Sequence, residues 1–177
     1  HRTPVPVYDR REGFERLGLA MAPRFIVDVN VGRLAKWLRV LGYDTLFVPG
    51  VDDAELLRIA MEQGRPLLTR DRYIMERRVV TGGHAKAVMV HSDDFREQMQ
   101  QVTEALGLGF QNGFSLCIEC NIPLKEAGKE TARKRVPPFV FRTQDQFLVC
   151  PACRRLYWRG THWRSMEAEI AGFMKGA

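Results

Sequence analysis

Apolar and polar positions between residues 24 and 106 follow two alternating periodicities. Short apolar runs are typical of buried strands, and each run is followed by a segment with the spacing of an amphipathic helix. Strands that each lead into a helix predict a parallel sheet with helices on both faces, which is an α/β fold. The predicted strands are Arg24–Asp28, Thr45–Val48, Pro66–Thr69 and Ala87–Val90.

Capping residues mark the helices between these strands. Asn30 is placed to cap a first helix, and Gly42 is placed to end it. The later helices are expected to begin at Asp52 or Asp53, near residue 72, and at Ser92 or Asp93.

Aspartates follow the predicted strands at the edge of the sheet where ligands bind in open parallel folds. Asp28 ends the first strand, Asp71 follows the third, and Asp52 and Asp53 follow the second. Converging carboxylates would repel one another unless a divalent cation neutralised them, and Mg²⁺ or Mn²⁺ prefers such oxygen ligands. A helix cap explains Asp52 or Asp53 singly, whereas Asp28 ends an apolar strand where no cap is expected.

The four cysteines of the chain form two Cys-x-x-Cys pairs, Cys117 with Cys120 and Cys150 with Cys153. Two such pairs complete a tetrahedral thiolate site of the kind that holds structural Zn²⁺. Two disulfides or redox pairs are the alternative, but redox motifs seldom occur as matched pairs. The pattern therefore predicts a zinc ribbon, with the basic segment 129–138 as a mobile loop inside it.

The net charge of +6 is unevenly distributed along the chain. Residues 113–177 carry 11 Lys and Arg against 6 Asp and Glu, whereas residues 24–112 carry 12 of each. The excess favours a polyanionic partner for the cysteine-bearing segment. The sequence has no run of 18 apolar residues and no secretory leader, so we expect a cytoplasmic protein without a membrane partner. A reducing compartment also suits thiolates held for a metal.

Several motifs together resemble the Mut7-C RNase domain of the PIN-like nuclease superfamily. The resemblance covers roughly residues 24–166, with its motifs in the expected order. They are Phe25–Asp28, Gly32–Thr45, Leu68–Arg72, Cys117–Asn121, Cys150–Cys153 and Tyr157–His162.

This resemblance implies a metal-dependent ribonuclease with a PIN-like core and an appended zinc ribbon. Carried over by position, the acidic site that would bind Mg²⁺ or Mn²⁺ falls on Asp28, Asp53 and Asp71, with Asp52 as a register alternative to Asp53. PIN domains often have a fourth acid, which Asp93 or Asp94 could supply.

Basic residues beside the acids and in the ribbon are candidates for RNA binding. Arginine can bind phosphates with two parallel hydrogen bonds, and aromatic rings stack on unpaired bases. A solvated helix face explains the arginines singly, and packing of the ribbon is the alternative role for its aromatics. The candidates are Arg70, Arg72, Arg154, Arg155, Arg159 and His162.

We therefore predict three segments, namely 1–23, a PIN-like domain over 24–112 and a zinc ribbon over 113–177. The first is either a leader or the remnant of a preceding ubiquitin-like domain, and a chain that begins at His1 is expected to be a piece of a longer protein. The predicted function is metal-dependent hydrolysis of RNA. A non-catalytic RNA-binding adaptor is the main alternative, and a metal-dependent phosphatase is a weaker one.

Overall fold

The computed structural model describes residues 14–15, 18, 21–110 and 112–174, so most of the segment predicted over 1–23 lies outside the described residues. Two sheets organise the chain. The first contains β1 (Phe25–Val27), β2 (Thr45–Phe47), β3 (Leu67–Thr69) and β4 (Ala87–Met89). The second contains β5 (Lys125–Ala127), β6 (Phe147–Val149) and β7 (Leu156–Tyr157).

The first sheet is fully parallel and has the order β2-β1-β3-β4. All four predicted strands are present, which confirms the α/β fold with a parallel sheet. The helices that accompany this sheet are α1 (Arg33–Leu41), α2 (Asp53–Glu62), α3 (Arg72–Met75), α4 (Arg78–Thr81) and α5 (Phe95–Leu106). Three more follow, namely α6 (Lys129–Ala132), α7 (Pro138–Thr143) and α8 (Thr161–Met174).

Each face of the parallel sheet buries its own apolar cluster. Phe25 and Val27 of β1 contribute to a cluster with α1, α5 and α8, whereas Ile26 contributes to one with α2, α3 and α4. This division follows from the strand geometry, because successive side chains point to opposite faces. Trp37 of α1 packs against the first cluster, with ring contacts to Phe95 and Phe173.

Gly42 ends α1 as predicted, in the left-handed conformation with a φ of 99°. A Cβ at this position would lie 2.8 Å from the carbonyl oxygen of Asn112. Both the backbone conformation and the close approach of this second segment therefore favour glycine.

Three local predictions were wrong. Asn30 does not cap α1, because a 3₁₀ turn at Val29–Val31 precedes that helix and Asp28 caps the turn. This turn also supplies the capping role that was not expected for Asp28. Asp94 is the N-cap of α5, rather than Ser92 or Asp93. The segment 129–138, predicted as a mobile loop, instead contains α6 and leads into α7. Its residues Ala132 and Val136 are buried in an apolar cluster, which anchors the segment.

The second sheet is antiparallel, with the order β5-β6-β7. After it, α8 returns to the parallel sheet and packs beside α5, where Arg96 forms an ion pair with Glu169 at 3.1 Å. The division at residues 112 and 113 stays a prediction. The last helix of the second segment nevertheless shares a core with the first.

No helix in the described part of the chain is both long enough and apolar enough to cross a membrane.

Candidate active site and metal centre

The chain order of the parallel sheet creates a crevice between the carboxyl ends of β1 and β3. From β1 the chain passes to β2 on one side, and it later enters β3 on the other side. A reversal of this kind is a topological switch point, where open α/β sheets bind their ligands. Asp28 follows β1 and Thr69 ends β3, so both residues lie at this point.

A hydrogen-bonded chain links Asp28 to Asp71 across the switch point. The Thr69 hydroxyl donates to Asp28 Oδ2 at 2.7 Å and accepts from the Asp71 backbone N–H at 2.9 Å. Thr69 is fully buried and Asp28 is 7% exposed. Sequence reasoning missed Thr69, whose only signal was its place at the end of a strand, two residues before Asp71.

Each of these two carboxylates is held by a backbone N–H. Val29 donates to Asp28 Oδ1 at 2.6 Å, and Tyr73 donates to Asp71 Oδ1 at 2.7 Å. Among the described residues, no basic side chain forms an ion pair with Asp28 or Asp71. A buried carboxylate without a cationic partner is costly, so this arrangement favours a bound cation.

The two acids after β2, Asp52 and Asp53, have different roles. Asp52 is the N-cap of α2, and its Oδ1 accepts from the Glu55 backbone N–H at 2.8 Å. Asp53 lies in the first turn of α2, and its Oδ2 is 3.6 Å from the Arg77 guanidinium. Asp52 thus has a helix-capping role, whereas the Asp53 carboxylate has a side-chain partner and no capping role.

The two candidates for a fourth acid separate in the same way. Asp94 caps α5 by accepting from two backbone N–H groups, at 2.9 and 3.1 Å. Asp93 is exposed and forms an ion pair with Arg70. The Arg70 backbone N–H in turn donates to Asn30 Oδ1 at 3.2 Å, so Asp93 is the acid connected to the edge that bears Asp28.

Asp28, Asp53 and Asp71 share one edge, but they do not form a set of three with ligand atoms close enough to hold one ion. Within the described ranges, the cysteines are the one group of three or more His, Cys, Asp or Glu with that geometry. Mg²⁺ is often bound by one or two carboxylates, with water and substrate phosphates completing its shell. The oxygen donors of Asp28 and Asp71 fit this chemistry.

The two Cys-x-x-Cys turns have matching backbone hydrogen bonds. The first cysteine of each pair donates its N–H to the carbonyl five residues on, at 2.8 Å for Cys117 and 3.0 Å for Cys150. The residue after each pair, Asn121 or Arg154, adopts a positive φ of 55° or 63°. In both turns the N–H of the second cysteine also points at the Sγ of the first.

The four sulfur atoms are placed for one metal ion. All four Sγ atoms lie within 4.8 Å of one another, and the Cys117 and Cys153 Sγ atoms are 3.7 Å apart. A tetrahedral Zn²⁺ with bonds of about 2.3 Å separates its sulfur ligands by about 3.8 Å. The donor set and its spacing therefore fit zinc, as the sequence predicted.

The surroundings shift the pKa values of three of the cysteine thiols in different directions. Burial raises the pKa of the Cys117 thiol, but hydrogen bonds from the Tyr157 hydroxyl, at 3.1 Å, and from the backbone bring it below its ordinary value. Burial raises the pKa of Cys150 to about 11, and burial together with neighbouring thiols raises that of Cys120. Full ionisation of the group therefore needs a metal cation.

The first cysteine turn is attached to the parallel-sheet segment by buried polar groups. The Asn121 side chain accepts from the Thr45 N–H at 3.0 Å and donates to Asp44 at 2.6 Å. Asp44 is paired with the buried Arg65, and the buried Arg39 donates to the carbonyl of Ile118 at 2.7 Å. Sequence reasoning assigned no individual role to Asn121 or Asp44.

These contacts attach the ribbon at the edge of the sheet opposite the acids. Thr45 begins β2, and Arg39 lies in the last turn of α1. Asp28 lies just before the start of α1, whose nine residues span about 14 Å. The attachment of the ribbon through Thr45 and Arg39 therefore lies toward the end of α1 that is farther from Asp28.

The predicted RNA-binding residues fall into two groups. Arg70 and Arg72 lie at the acidic edge, where Arg70 is paired with Asp93 and Arg72 is exposed. The ribbon group is exposed, and two of its arginines have partners. Arg155 forms an ion pair with Glu119 at 3.3 Å, and the Arg159 guanidinium lies 5.5 Å from the centre of the Trp163 ring. The other two members of the group are Arg154 and His162.

Trp163 is a packing residue. Its ring stacks on Phe114 with the centroids 3.8 Å apart. A cavity of about 500 Å³ lies beside it, lined by Phe139, Trp158 and His162 among others. The packing role therefore holds for Trp163, whereas Phe139 stays exposed at the cavity.

Neither the comparison with curated proteins nor that with solved structures returned a match. The family model of the Mut7-C RNAse domain, by contrast, matches residues 23–170. This range contains the linked Asp28 and Asp71, both cysteine pairs and most of α8. Because the match covers most of the chain, the protein belongs to the Mut7-C RNAse domain family.

Proposed function

We propose that the protein is a divalent-metal-dependent ribonuclease with a PIN-like core, and that Asp28 and Asp71 form the centre of its active site. The observation that carries this proposal is the hydrogen-bonded chain from Asp28 through Thr69 to Asp71 at the switch point. It occurs in a chain that belongs to an RNase domain family.

Asp28 and Asp71 would hold Mg²⁺ or Mn²⁺. When bound, such an ion activates water for attack on a phosphodiester and stabilises charge on the leaving oxygen. Thr69 fixes the Asp28 carboxylate through its hydroxyl and the Asp71 backbone through the same oxygen, so the two acids keep one relative position. Asp53 would join them from the rim, where Arg77 now partners it.

Arginines at this edge would bind the phosphates of the substrate. Arg72 is exposed directly after Asp71, and Arg70 precedes it. Arginine binds phosphate with paired hydrogen bonds, which positions a strand without reading its sequence. The ribbon, with its excess of positive charge, would bind the same RNA farther from the reacting phosphate.

A non-catalytic RNA-binding adaptor is the second candidate. The observation that favours it is that Asp28, Asp52, Asp71 and Asp94 each cap a helix or turn. Capping is a sufficient structural reason for any one of these residues. Capping alone does not explain the burial of Asp28 or its bond to Thr69.

The deciding experiment measures cleavage of end-labelled single-stranded RNA in Mn²⁺ and without added divalent ion. Asp28→Asn and Asp71→Asn should each lower the rate by about 100-fold or more, which is about 2.7 kcal/mol of barrier. Asp94→Asn is the matched control, because it alters a capping aspartate that is not linked to Thr69. Folded variants of Asp28 and Asp71 that cut at the parent rate would exclude the nuclease function at this site.

A further inference from the structure

Two apolar side chains project into solvent beside the linked acids. Val29 is 59% exposed and Tyr73 is 76% exposed. A single exposed apolar side chain is ordinary on a protein surface. Here, however, Val29 follows Asp28 directly, and Tyr73 lies two residues after Asp71.

The backbone holds both residues in place relative to the acids. The N–H groups of Val29 and Tyr73 donate to the capping carboxylates of Asp28 and Asp71, at 2.6 and 2.7 Å. Thr69 joins these two carboxyl residues. The next residue after Tyr73, Ile74, is fully buried in the core and anchors the short helix α3.

The Tyr73 side chain has no structural role in the described part of the chain. It makes no hydrogen bond, ion pair or ring contact with any described residue, although aromatic side chains usually bury much of their area. Its position is thus set by its backbone, while its ring is available to a ligand.

A nucleotide is the ligand that suits this combination of groups. Its phosphate suits Arg70 and Arg72, which flank Asp71, and the flat apolar faces of its base suit an exposed tyrosine ring. Base stacking on an aromatic side chain contributes about 1–3 kcal/mol. A base inside a duplex is already stacked on its neighbours, so only an unpaired base can use the tyrosine.

We propose that Tyr73, supported by Val29, stacks on an unpaired base next to the reacting phosphate and thereby makes the enzyme select single-stranded RNA. This inference rests on the proposed ribonuclease function and names its substrate class. Tyr73 is a specificity-determining residue in this scheme.

The first test compares kcat and KM on single-stranded RNA with and without one abasic nucleotide at the cleaved position. Tyr73→Ala should lower kcat/KM about 5- to 150-fold on intact RNA, mainly through KM. Tyr73→Phe should retain the parent value because it keeps the ring. On abasic RNA the parent should lose the same factor, and Tyr73→Ala should lose nothing more.

Met61→Ala is the matched control, because Met61 is exposed on α2 and follows none of the linked acids. It should leave kcat/KM unchanged on both intact and abasic RNA. Equal kcat/KM for Tyr73→Ala and the parent on intact RNA would overturn the inference.

The second test does not depend on cleavage. RNA carrying single 5-iodouridines is irradiated with the zinc-loaded protein without added Mg²⁺ or Mn²⁺, and crosslinked peptides are mapped. A crosslink at Tyr73 supports the inference even if no cleavage occurs, in which case only the proposed function fails. Crosslinks confined to residues 113–174, in a preparation that cuts RNA in an Asp71-dependent way, would overturn the inference and leave the function intact.

Discussion

The cysteine cluster and the aspartate edge are both candidate metal sites, but only the cysteines are already gathered for an ion. The four Sγ atoms lie within 4.8 Å of one another, whereas Asp28, Asp53 and Asp71 form no such group among the described residues. The difference follows from charge. Thiols can stay protonated at neutral pH when they are gathered, since burial raises the pKa of Cys150 to about 11, whereas carboxylates are generally ionised at neutral pH and repel one another.

The two sites also differ in what holds their side chains. The cysteines are placed by two turns with the same hydrogen bonds, a local device that repeats along the chain. The linked acids are placed by Thr69, which bridges two strands that are distant in sequence. The cysteine site is thus formed within one short module, whereas the aspartate site depends on how the strands of the parallel sheet are arranged.

The strongest way to test this comparison is to remove a zinc ligand. Cys120→Ser should eliminate most of the zinc-coupled folding free energy, on the order of 10 kcal/mol, because the unfolded chain has no preformed site. We expect β5, β6 and β7 to lose protection in hydrogen exchange while β1 to β4 retain it. Zinc content and exchange are measured on the same preparations. A parent protein with far less than one equivalent of zinc would contradict the assignment.

The attachment of the ribbon can be tested at the residue that follows each cysteine pair. Asn121→Ala should lower the free energy of unfolding by about 2–4 kcal/mol, because it leaves the buried Thr45 N–H without a partner and removes one of the hydrogen bonds to the Asp44 carboxylate. Arg154→Ala is the matched control, since Arg154 has the same positive φ but is exposed. The free energies of unfolding of the two variants are measured by denaturant titration. Equal losses would mean that only the turn geometry matters.

The separation of RNA binding from cleavage can be tested on the ribbon arginines. Neutralising Arg154, Arg155 and Arg159 together should weaken binding to single-stranded RNA about 10- to 100-fold at 0.1 M salt and reduce the salt slope by about 2. The cleavage rate at saturating RNA should be retained. The control neutralises Arg58, Arg78 and Lys86, which are exposed outside the ribbon. An unchanged salt dependence of binding in the ribbon variant would mean that these three arginines do not bind the RNA.

The smallest expected effect concerns the rim of the acidic edge. Asp53→Asn should lower the cleavage rate by less than about 10-fold, because Asp53 is not part of the chain that links Asp28 to Asp71. Asp52→Asn serves as the control, since it changes only the cap of α2. Rates in saturating Mn²⁺ distinguish the two. A loss as large as that of Asp71→Asn would give Asp53 an equal share in binding the ion.

Local sequence patterns were sufficient for the strands of the parallel sheet and for the grouping of the four cysteines. All four predicted strands of the parallel sheet are present within one or two residues, and Gly42 ends α1 as its type predicts. The spacing of the cysteines alone was enough to predict a metal site, since each pair lies in a single tight turn. Periodicity, caps and turns depend on neighbours in sequence, and for that reason they can be read without a structure.

Contacts between distant residues were decided only by the tertiary structure. Arg39 and Ile118 are 79 positions apart, and Thr69 and Asp28 are 41 apart, so no local pattern reports either bond. The same holds for α8, which follows the ribbon yet packs beside α5. Sequence alone therefore determined which groups this protein carries. Folding determined that the ribbon is attached near the amino end of β2, whereas the linked acids follow the carboxyl ends of β1 and β3, because that arrangement depends on the strand crossovers and on buried polar bonds between distant residues.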